Sequence, residues 1–148
     1  MWHIVIMVVK SFIPKKKVND HHRILLEKHL LEKHFAFLKC LVTGRTLICR
    51  GFCQPTEYSP VYEYRIKFTP GIYPKVFVVE PEIEYDDDIH MYASDNSLCL
   101  FYPRDFSWTS ESHLYNTILP WTHEWFLYYE KYKISGKWEH PFVSHRKI

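Results

Sequence analysis

The first regular hydrophobic pattern along the chain has the spacing of a helix. Asn19 or Asp20 can accept backbone N–H bonds as an N-cap, and the residues that follow are rich in Leu, Glu and Lys, which lose little side-chain freedom in a helix. The apolar residues near one face are Ile24, Leu31 and Phe35, with Leu30 beside them. This spacing predicts an amphipathic helix over about residues 20–36.

Strand-like segments separated by turn residues come next. The clearest is "VYEYRIKF", where apolar and charged side chains alternate with the period of a half-buried strand. Its apolar residues are Tyr62, Tyr64, Ile66 and Phe68. "FLKCLV" and "TLICRGFCQP" precede it on either side of "TGR", and "KVFVVEP" follows the turn "FTPGIYP" and ends at Pro81. An antiparallel meander of four strands is the simplest assembly of these segments.

The stretch from Pro81 to Pro103 shows no clear period. It is long for a connection without secondary structure, and such loops are usually functional or disordered. Its acidic residues, counted from the end of the preceding segment, are Glu80, Glu82, Glu84, Asp86, Asp87 and Asp88. A run of this kind is usually a solvated loop, and it could also attract a basic partner or a cation.

Helical signals return after this loop. "WTSESHLYNTILPW" predicts a helix start, with Thr109 or Ser110 as N-cap and Glu111 in the first turn. Pro120 predicts the start of a second helix, which Gly136 would end. Its aromatic stripe, Trp121, Trp125, Tyr128 and Tyr132, is expected to pack on the sheet. The order of elements predicts an α+β fold with the helices segregated from an antiparallel sheet.

Composition is that of one ordered domain. The chain has 148 residues, of which 47% are hydrophobic and 18% aromatic, as in ordered proteins. Its formal net charge of +2 is nearly neutral and gives no indication of nucleic-acid binding. The cysteines, Cys40, Cys49, Cys53 and Cys99, form no CxxC pair and suit a reducing cytoplasm. No ligand pair at zinc-like spacing follows Cys49 and Cys53, so we expect buried strand cysteines, and no metal or other cofactor.

The N-terminus carries a short apolar stretch from Ile4 to Val9. This is far shorter than the roughly 20 residues that span a bilayer, and the lysines follow it, whereas a secretory signal has its positive charge first. We therefore expect residues 1–17 to be an N-terminal extension, residues 18–148 to form the domain, and no membrane association.

The segment "HMYASDNSLCLFYP" resembles the active-site region of ubiquitin-conjugating enzymes. Eukaryotic members have a His-Pro-Asn motif, a short polar loop, and then Ile/Leu-Cys-Leu with the active cysteine. Here His90 matches the histidine and Leu98-Cys99-Leu100 matches the cysteine core. Tyr92 stands where the family has its asparagine, so the cysteine is carried over more firmly than the residues that assist it.

A closer resemblance is to the bacterial ubiquitin-conjugating-like proteins of CBASS antiphage defence operons. It rests on His90-Met91-Tyr92, "SLCLFYP" and "ILPWTHEWFLYYEKYKISGKW", and it covers about residues 20–140. The resemblance implies a ubiquitin-conjugating-like α+β fold in a short form without a fused activating domain. It also implies that Cys99 forms a thioester with the C-terminus of a cGAS-like nucleotidyltransferase (CD-NTase) and passes it to an amine. No GxGxxG or Walker-type loop occurs, so an activating enzyme would act in trans, or the short form works without one.

A thiolate suits acyl transfer because it is both a nucleophile and a leaving group. The oxyanion of the tetrahedral intermediate needs a donor, for which Asn96 is the candidate on chemical grounds and Tyr92 the one on alignment, while Asp95 also lies near the cysteine. We expect His90 to hold the loop rather than to act as a base.

Two other classes of function stay open. One is a non-catalytic binding module on the same fold. The other is a cysteine hydrolase, with His113 or His140 as its base.

Overall fold

A computed structural model describes residues 19–102 and 104–140. The extension predicted at residues 1–17 lies outside these ranges. The elements, in chain order, are helix α1 (Asp20–His34), strands β1 (Lys39–Thr43), β2 (Thr46–Cys53), β3 (Tyr62–Phe68) and β4 (Lys75–Glu80), a 3-10 turn (Leu114–Asn116) and helix α2 (Ile118–Ser135). This order confirms the predicted α+β class.

Helix α1 begins at the predicted cap. The side chain of Asn19 accepts a hydrogen bond from the N–H of His21 at 2.8 Å, which satisfies one of the donors that a helix start leaves open. Ile24 and Leu31 are buried on one face, as their spacing predicts. The helix ends at His34 because Phe35 takes an extended conformation, with φ −137° and ψ 93°.

The sheet is the predicted meander. Its strands lie in the order β1-β2-β3-β4, and every neighbouring pair is antiparallel. The apolar face of β3 is buried, with Tyr64 fully so. Gly51 lies opposite Tyr64 on β2, and a Cβ at that position would stand 2.5 Å from Cζ of the Tyr64 ring. The ring therefore requires a glycine beneath it.

Helix α2 confirms one predicted end and corrects the other. Gly136 has φ 72°, and its N–H donates to the carbonyl oxygen of Tyr132 at 2.8 Å, which ends the helix as predicted. The helix starts at Ile118, two residues before Pro120, because proline is tolerated within a first turn, where its missing N–H is not needed.

The prediction of a helix that starts at Thr109 or Ser110 is wrong, because these residues form a turn. The N–H of Thr109 donates to Oγ of Ser112 at 3.0 Å, and the N–H of Ser112 donates back to the carbonyl oxygen of Thr109 at 3.1 Å. This closes a turn that includes Glu111. Hydroxyl side chains that cap helices also close turns of this kind, so the signal was ambiguous. In the described part of the chain, α2 is therefore the one α-helix that follows Cys99.

The rings of the aromatic stripe of α2 have aromatic neighbours outside the strands. Trp121 contacts the ring of Phe106, with centroids 5.0 Å apart, and Trp125 contacts Trp138 at 5.4 Å. The residue that stacks on the sheet is Phe126, whose centroid lies 4.6 Å from that of Tyr62. One residue along a helix is about 100° of rotation, so Phe126 projects from α2 in a different direction from its neighbour Trp125.

A buried ionic network joins α1 to the segment before α2. Glu27 is fully buried; it accepts a hydrogen bond from the N–H of Leu114 at 2.7 Å and lies 2.7 Å from Nδ1 of His113. Arg23 lies 3.6 Å from Glu27 and donates to the carbonyl oxygen of Ser110 at 2.7 Å. Buried charges of this kind are retained only when they are paired, so the network fixes where α2 starts relative to α1.

Candidate active site around Cys99

Residues 90–99 form a short ribbon, called here the cysteine hairpin. Met91 and Leu98 pair in an antiparallel bridge, and the N–H of Cys99 donates to the carbonyl oxygen of His90 at 2.9 Å. At the other end, the N–H of Asn96 donates to the carbonyl oxygen of Tyr92 at 2.8 Å. So short a ribbon shows no hydrophobic period, yet its pairing places His90 and Tyr92 beside the strand that carries Cys99.

The cysteine hairpin is held between the sheet and α2. From the sheet, the carbonyl oxygen of Val76 on β4 accepts the N–H of Leu98 at 2.9 Å. From the helix, Nε1 of Trp125 donates to the carbonyl oxygen of His90 at 3.1 Å. Two elements with separate attachments to the core therefore fix the position of Cys99.

Asp95 and Asn96 shape the turn of the cysteine hairpin. Asp95 accepts hydrogen bonds from the N–H and Oγ of Ser97, at 2.9 and 2.6 Å, and pairs with Lys75 on β4. Burial raises the pKa of Asp95, but the hydrogen bonds from Lys75 and Ser97 outweigh it, so the net pKa is lowered. Asn96 is exposed and has φ 61°, a left-handed conformation that asparagine tolerates.

The thiol of Cys99 lies against the hydroxyl of Tyr92. Cys99 is 3% exposed, and its Sγ is 3.6 Å from the carbonyl oxygen of Phe101. Burial raises the pKa of Cys99, and hydrogen bonds with Tyr92 and with Phe101 offset part of that rise. Burial also raises the pKa of Tyr92, so its phenol stays protonated near Cys99. A neutral thiol with a hydroxyl partner is the resting state of this site.

The side chain of His90 belongs to an aromatic cluster. Its ring stacks on that of Trp138 with centroids 5.4 Å apart, and its backbone has φ 50°, which is uncommon outside glycine. Beside Cys99 lies a narrow cleft with no room for a water molecule. It is lined by His90, Cys99, Leu100, Trp121, Trp125, Trp138 and His140.

The two histidines considered as bases lie in different places. His113 belongs to the Glu27 network on α1. His140 lines the cleft beside Cys99, and its Nε2 is 3.1 Å from Oε1 of Glu124. Burial lowers the pKa of His140, although Glu124 acts in the opposite direction.

Two residues far from the cysteine hairpin in sequence contribute to the site, and the sequence patterns do not indicate their roles. The stripe pattern shows Trp125 only as an apolar residue, and nothing around Lys75 indicates its pairing with Asp95.

The acidic loop before the cysteine hairpin is partly engaged by its neighbours, since Asp86 accepts a hydrogen bond from the hydroxyl of Tyr132 at 3.2 Å. Within residues 19–102 and 104–140, no three acidic, cysteine or histidine side chains converge as metal ligands, and no helix is long and apolar enough to cross a bilayer.

A comparison with known protein families matches most of this chain. The model described as "Type II CBASS E2 protein" matches residues 27–146, a range that holds the cysteine hairpin, the sheet and α2. No curated protein matches the chain.

Proposed function

Because the chain belongs to the type II CBASS E2 family, we propose that Cys99 is the nucleophile of a ubiquitin-conjugating type of acyl transfer, on a ubiquitin-conjugating-like fold. Its acyl donor is the C-terminus of a cGAS-like nucleotidyltransferase, and the thioester passes to an amine. The observation that carries the proposal is the placement of Cys99 on the cysteine hairpin, where its N–H pairs with the carbonyl oxygen of His90 and its neighbour Leu98 pairs with Met91.

The first step forms a thioester. Cys99 loses its proton, and its sulfur attacks the carbonyl carbon of an activated C-terminus to give a tetrahedral oxyanion. When this collapses, the bond to the activating group breaks, the C–S bond remains, and the departing group takes up the proton that Cys99 lost. The hydroxyl of Tyr92 supports both stages, as a donor to the sulfur as its charge develops and then as a donor to the oxyanion.

The second step passes the acyl group on. An amine attacks the thioester carbon, the C–S bond breaks, and Cys99 leaves as a thiolate that regains its proton. Thiolate is a far better leaving group than an amine, so the reaction runs toward the amide.

The other predicted residues position this chemistry. The carbonyl oxygen of His90 accepts hydrogen bonds from the N–H of Cys99 and from Nε1 of Trp125. Asp95 holds the turn through Ser97 and Lys75. Asn96 is exposed at that turn, whereas Tyr92 lies beside the thiol, so we assign the oxyanion donor to Tyr92 rather than to Asn96.

The acyl donor has to arrive activated. A free carboxylate does not condense with a thiol unaided, and the sequence shows no phosphate-binding loop. We therefore propose that an activating enzyme in trans supplies it. The resting thiol is buried and protonated, which keeps it unreactive toward other electrophiles until the partner binds.

A binding module without catalysis is the second candidate. The observation in its favour is the same burial of Cys99, which also suits a cysteine kept for packing. A hydrolase would use His140, which lines the cleft with Cys99.

Serine substitution separates these possibilities. The chain is co-expressed with the nucleotidyltransferase and activating enzyme of its operon, as wild type, Cys99→Ser and Cys53→Ser. We expect wild type and Cys53→Ser to give an adduct that thiols release, and Cys99→Ser to give an oxyester that resists thiols and yields to alkali. An adduct of unchanged chemistry in Cys99→Ser would overturn the proposal. Binding of both partners with no adduct in any variant would support the module, and a shortened nucleotidyltransferase would support the hydrolase.

A further inference from the structure

A second pair of cysteines lies away from the cysteine hairpin, in strands β1 and β2. Strands β1 and β2 pair at five positions, and at one of them Cys40 lies directly opposite Cys49. The hairpin closes at Thr43 and Thr46 through a two-residue turn, so that closing pair is hydrogen-bonded. Because pairs alternate along antiparallel strands, Cys40 and Cys49 occupy a pair without ladder hydrogen bonds, where Cα atoms are about 4.5 Å apart.

This position has the geometry that a disulfide needs. Disulfides join residues whose Cα atoms lie about 4.4–6.8 Å apart, and opposed residues of a sheet point their side chains to the same face. Both thiols are free in the structure. The cross-link would therefore form without a change in strand register.

The two thiols differ in access and in reactivity. Cys49 is fully buried, whereas Cys40 is half-buried at the edge of the sheet. A hydrogen bond from the thiol of Cys49 lowers the pKa of Cys40; burial and Glu32 oppose this, and Lys28 of α1 supports it. The same hydrogen bond, with burial, raises the pKa of Cys49. Cys40 is thus the attacking thiol of the pair and Cys49 its buried neighbour.

We propose that Cys40 and Cys49 form an oxidation site, which hydrogen peroxide and other hydroperoxides close to an intramolecular disulfide across β1 and β2. The thiolate of Cys40 attacks the peroxide, giving a sulfenic acid and hydroxide. The sulfur of Cys49 then attacks the sulfenic sulfur, and its proton leaves with the hydroxyl group as water. Two thiols are oxidised and one peroxide is reduced to two waters.

The site is separate from the proposed acyl-transfer chemistry. Cys99 has a raised pKa and is 3% exposed, so peroxide reaches Cys40 first. Cys53 lies opposite Tyr62 and has no cysteine across the ladder. The disulfide ties the edge strand β1 to β2 beneath α1 and leaves Cys99 reduced.

Peptide mapping tests this directly. The reduced full-length chain is treated with hydrogen peroxide, alkylated with iodoacetamide in denaturant and digested with trypsin. Cleavage after Lys39, Arg45 and Arg50 places the two cysteines on separate peptides, 40–45 and 46–50. We expect these peptides to be joined until reductant separates them, with a loss of about 2 Da from the intact mass.

Matched variants control the result. Cys40→Ser changes a half-buried residue and loses the cross-link, while Cys53→Ser and Cys99→Ser retain it; circular dichroism confirms that each variant is folded. Because the Cys99→Ser variant keeps the cross-link, failure of acyl transfer does not affect this test. Oxidation of Cys40 to a sulfinic acid without linkage would overturn the proposal. A Cys49–Cys53 bond, or oxidation of Cys99 while Cys40 and Cys49 stay alkylatable, would do the same.

Discussion

The indole Nε1 of Trp125 donates a hydrogen bond to the carbonyl oxygen of His90, 3.1 Å away, and the same oxygen accepts the N–H of Cys99 at 2.9 Å. One backbone oxygen therefore joins helix α2 to the strand that carries the thiol. Since the bond is buried, the position of Cys99 depends on a side chain 35 residues from His90.

Trp125→Phe tests this dependence. The variant keeps an aromatic ring and loses the donor, so we expect unfolding free energy to fall by about 1–2 kcal/mol and adduct formation to slow about tenfold. Urea unfolding and adduct time courses measure the two effects. Trp108→Phe, which alters a ring that is packed on Phe68 and does not line the cleft beside Cys99, is the matched control. Equal slowing by both substitutions would argue against a specific role for the Trp125 donor.

Tyr92→Phe removes the hydroxyl beside the thiol. The hydrogen bond with Tyr92 lowers the pKa of Cys99, so its loss should move the pH midpoint of iodoacetamide alkylation upward. Adduct formation should slow by about 10²-fold, the usual cost of losing an oxyanion donor. Tyr73→Phe, at a half-exposed ring packed on Phe101, should change neither. An unchanged midpoint and rate in Tyr92→Phe would remove Tyr92 from the chemistry.

Glu27→Ala breaks the buried network between α1 and the segment before α2. Removing Glu27 leaves Arg23 without its buried counter-ion and the N–H of Leu114 without its acceptor. We expect a loss of about 3–5 kcal/mol of unfolding free energy in urea titrations. Glu32→Ala is the control, because Glu32 pairs with Lys28 in an exposed contact worth about 0.3–0.5 kcal/mol. Similar losses of unfolding free energy in Glu27→Ala and Glu32→Ala would mean that the buried network does not stabilise the fold.

Stability should fall in mild acid. Burial lowers the pKa of His123, whose Nε2 lies 2.7 Å from the hydroxyl of Tyr64, while in the unfolded chain a histidine takes up a proton near pH 6.5. The unfolded state therefore binds more protons, and unfolding free energy decreases as pH falls below about 6.5. Urea unfolding at pH 7.5 and 5.5 measures the slope. His123→Gln should reduce it, and exposed His29→Gln should not; an equal slope in wild type and His123→Gln would contradict the assignment.

Local signals predicted the elements well. The alternation along β3, the cap at Asn19 and the stop at Gly136 each depend on a few neighbouring residues, and the structure confirms all three. The helix start at Thr109 failed because the same hydroxyl chemistry closes a turn with Ser112. Local patterns do not distinguish the two, since the choice is made by packing against α1.

The candidate site divides in the same way. His90, Tyr92 and Cys99 lie within ten positions of one another, so a linear motif suffices to group them. Trp125 and Lys75 reach the cysteine hairpin only through the fold, across 35 and 20 residues respectively. The aromatic stripe was recognised as apolar, but which face of α2 meets the sheet depends on a rotation of one residue.

The most direct test of Cys99 as an acyl-transfer nucleophile is the intact mass of the chain after co-expression with a CBASS cGAS-like nucleotidyltransferase and an activating enzyme. Wild type should show an adduct with the mass of both chains less one water, released by reductant or hydroxylamine and absent from Cys99→Ala. The catalytic account is contradicted if Cys99→Ala and wild type bind the nucleotidyltransferase equally well and neither forms an adduct. In that case the chain is a docking module in which Cys99 is a buried packing residue.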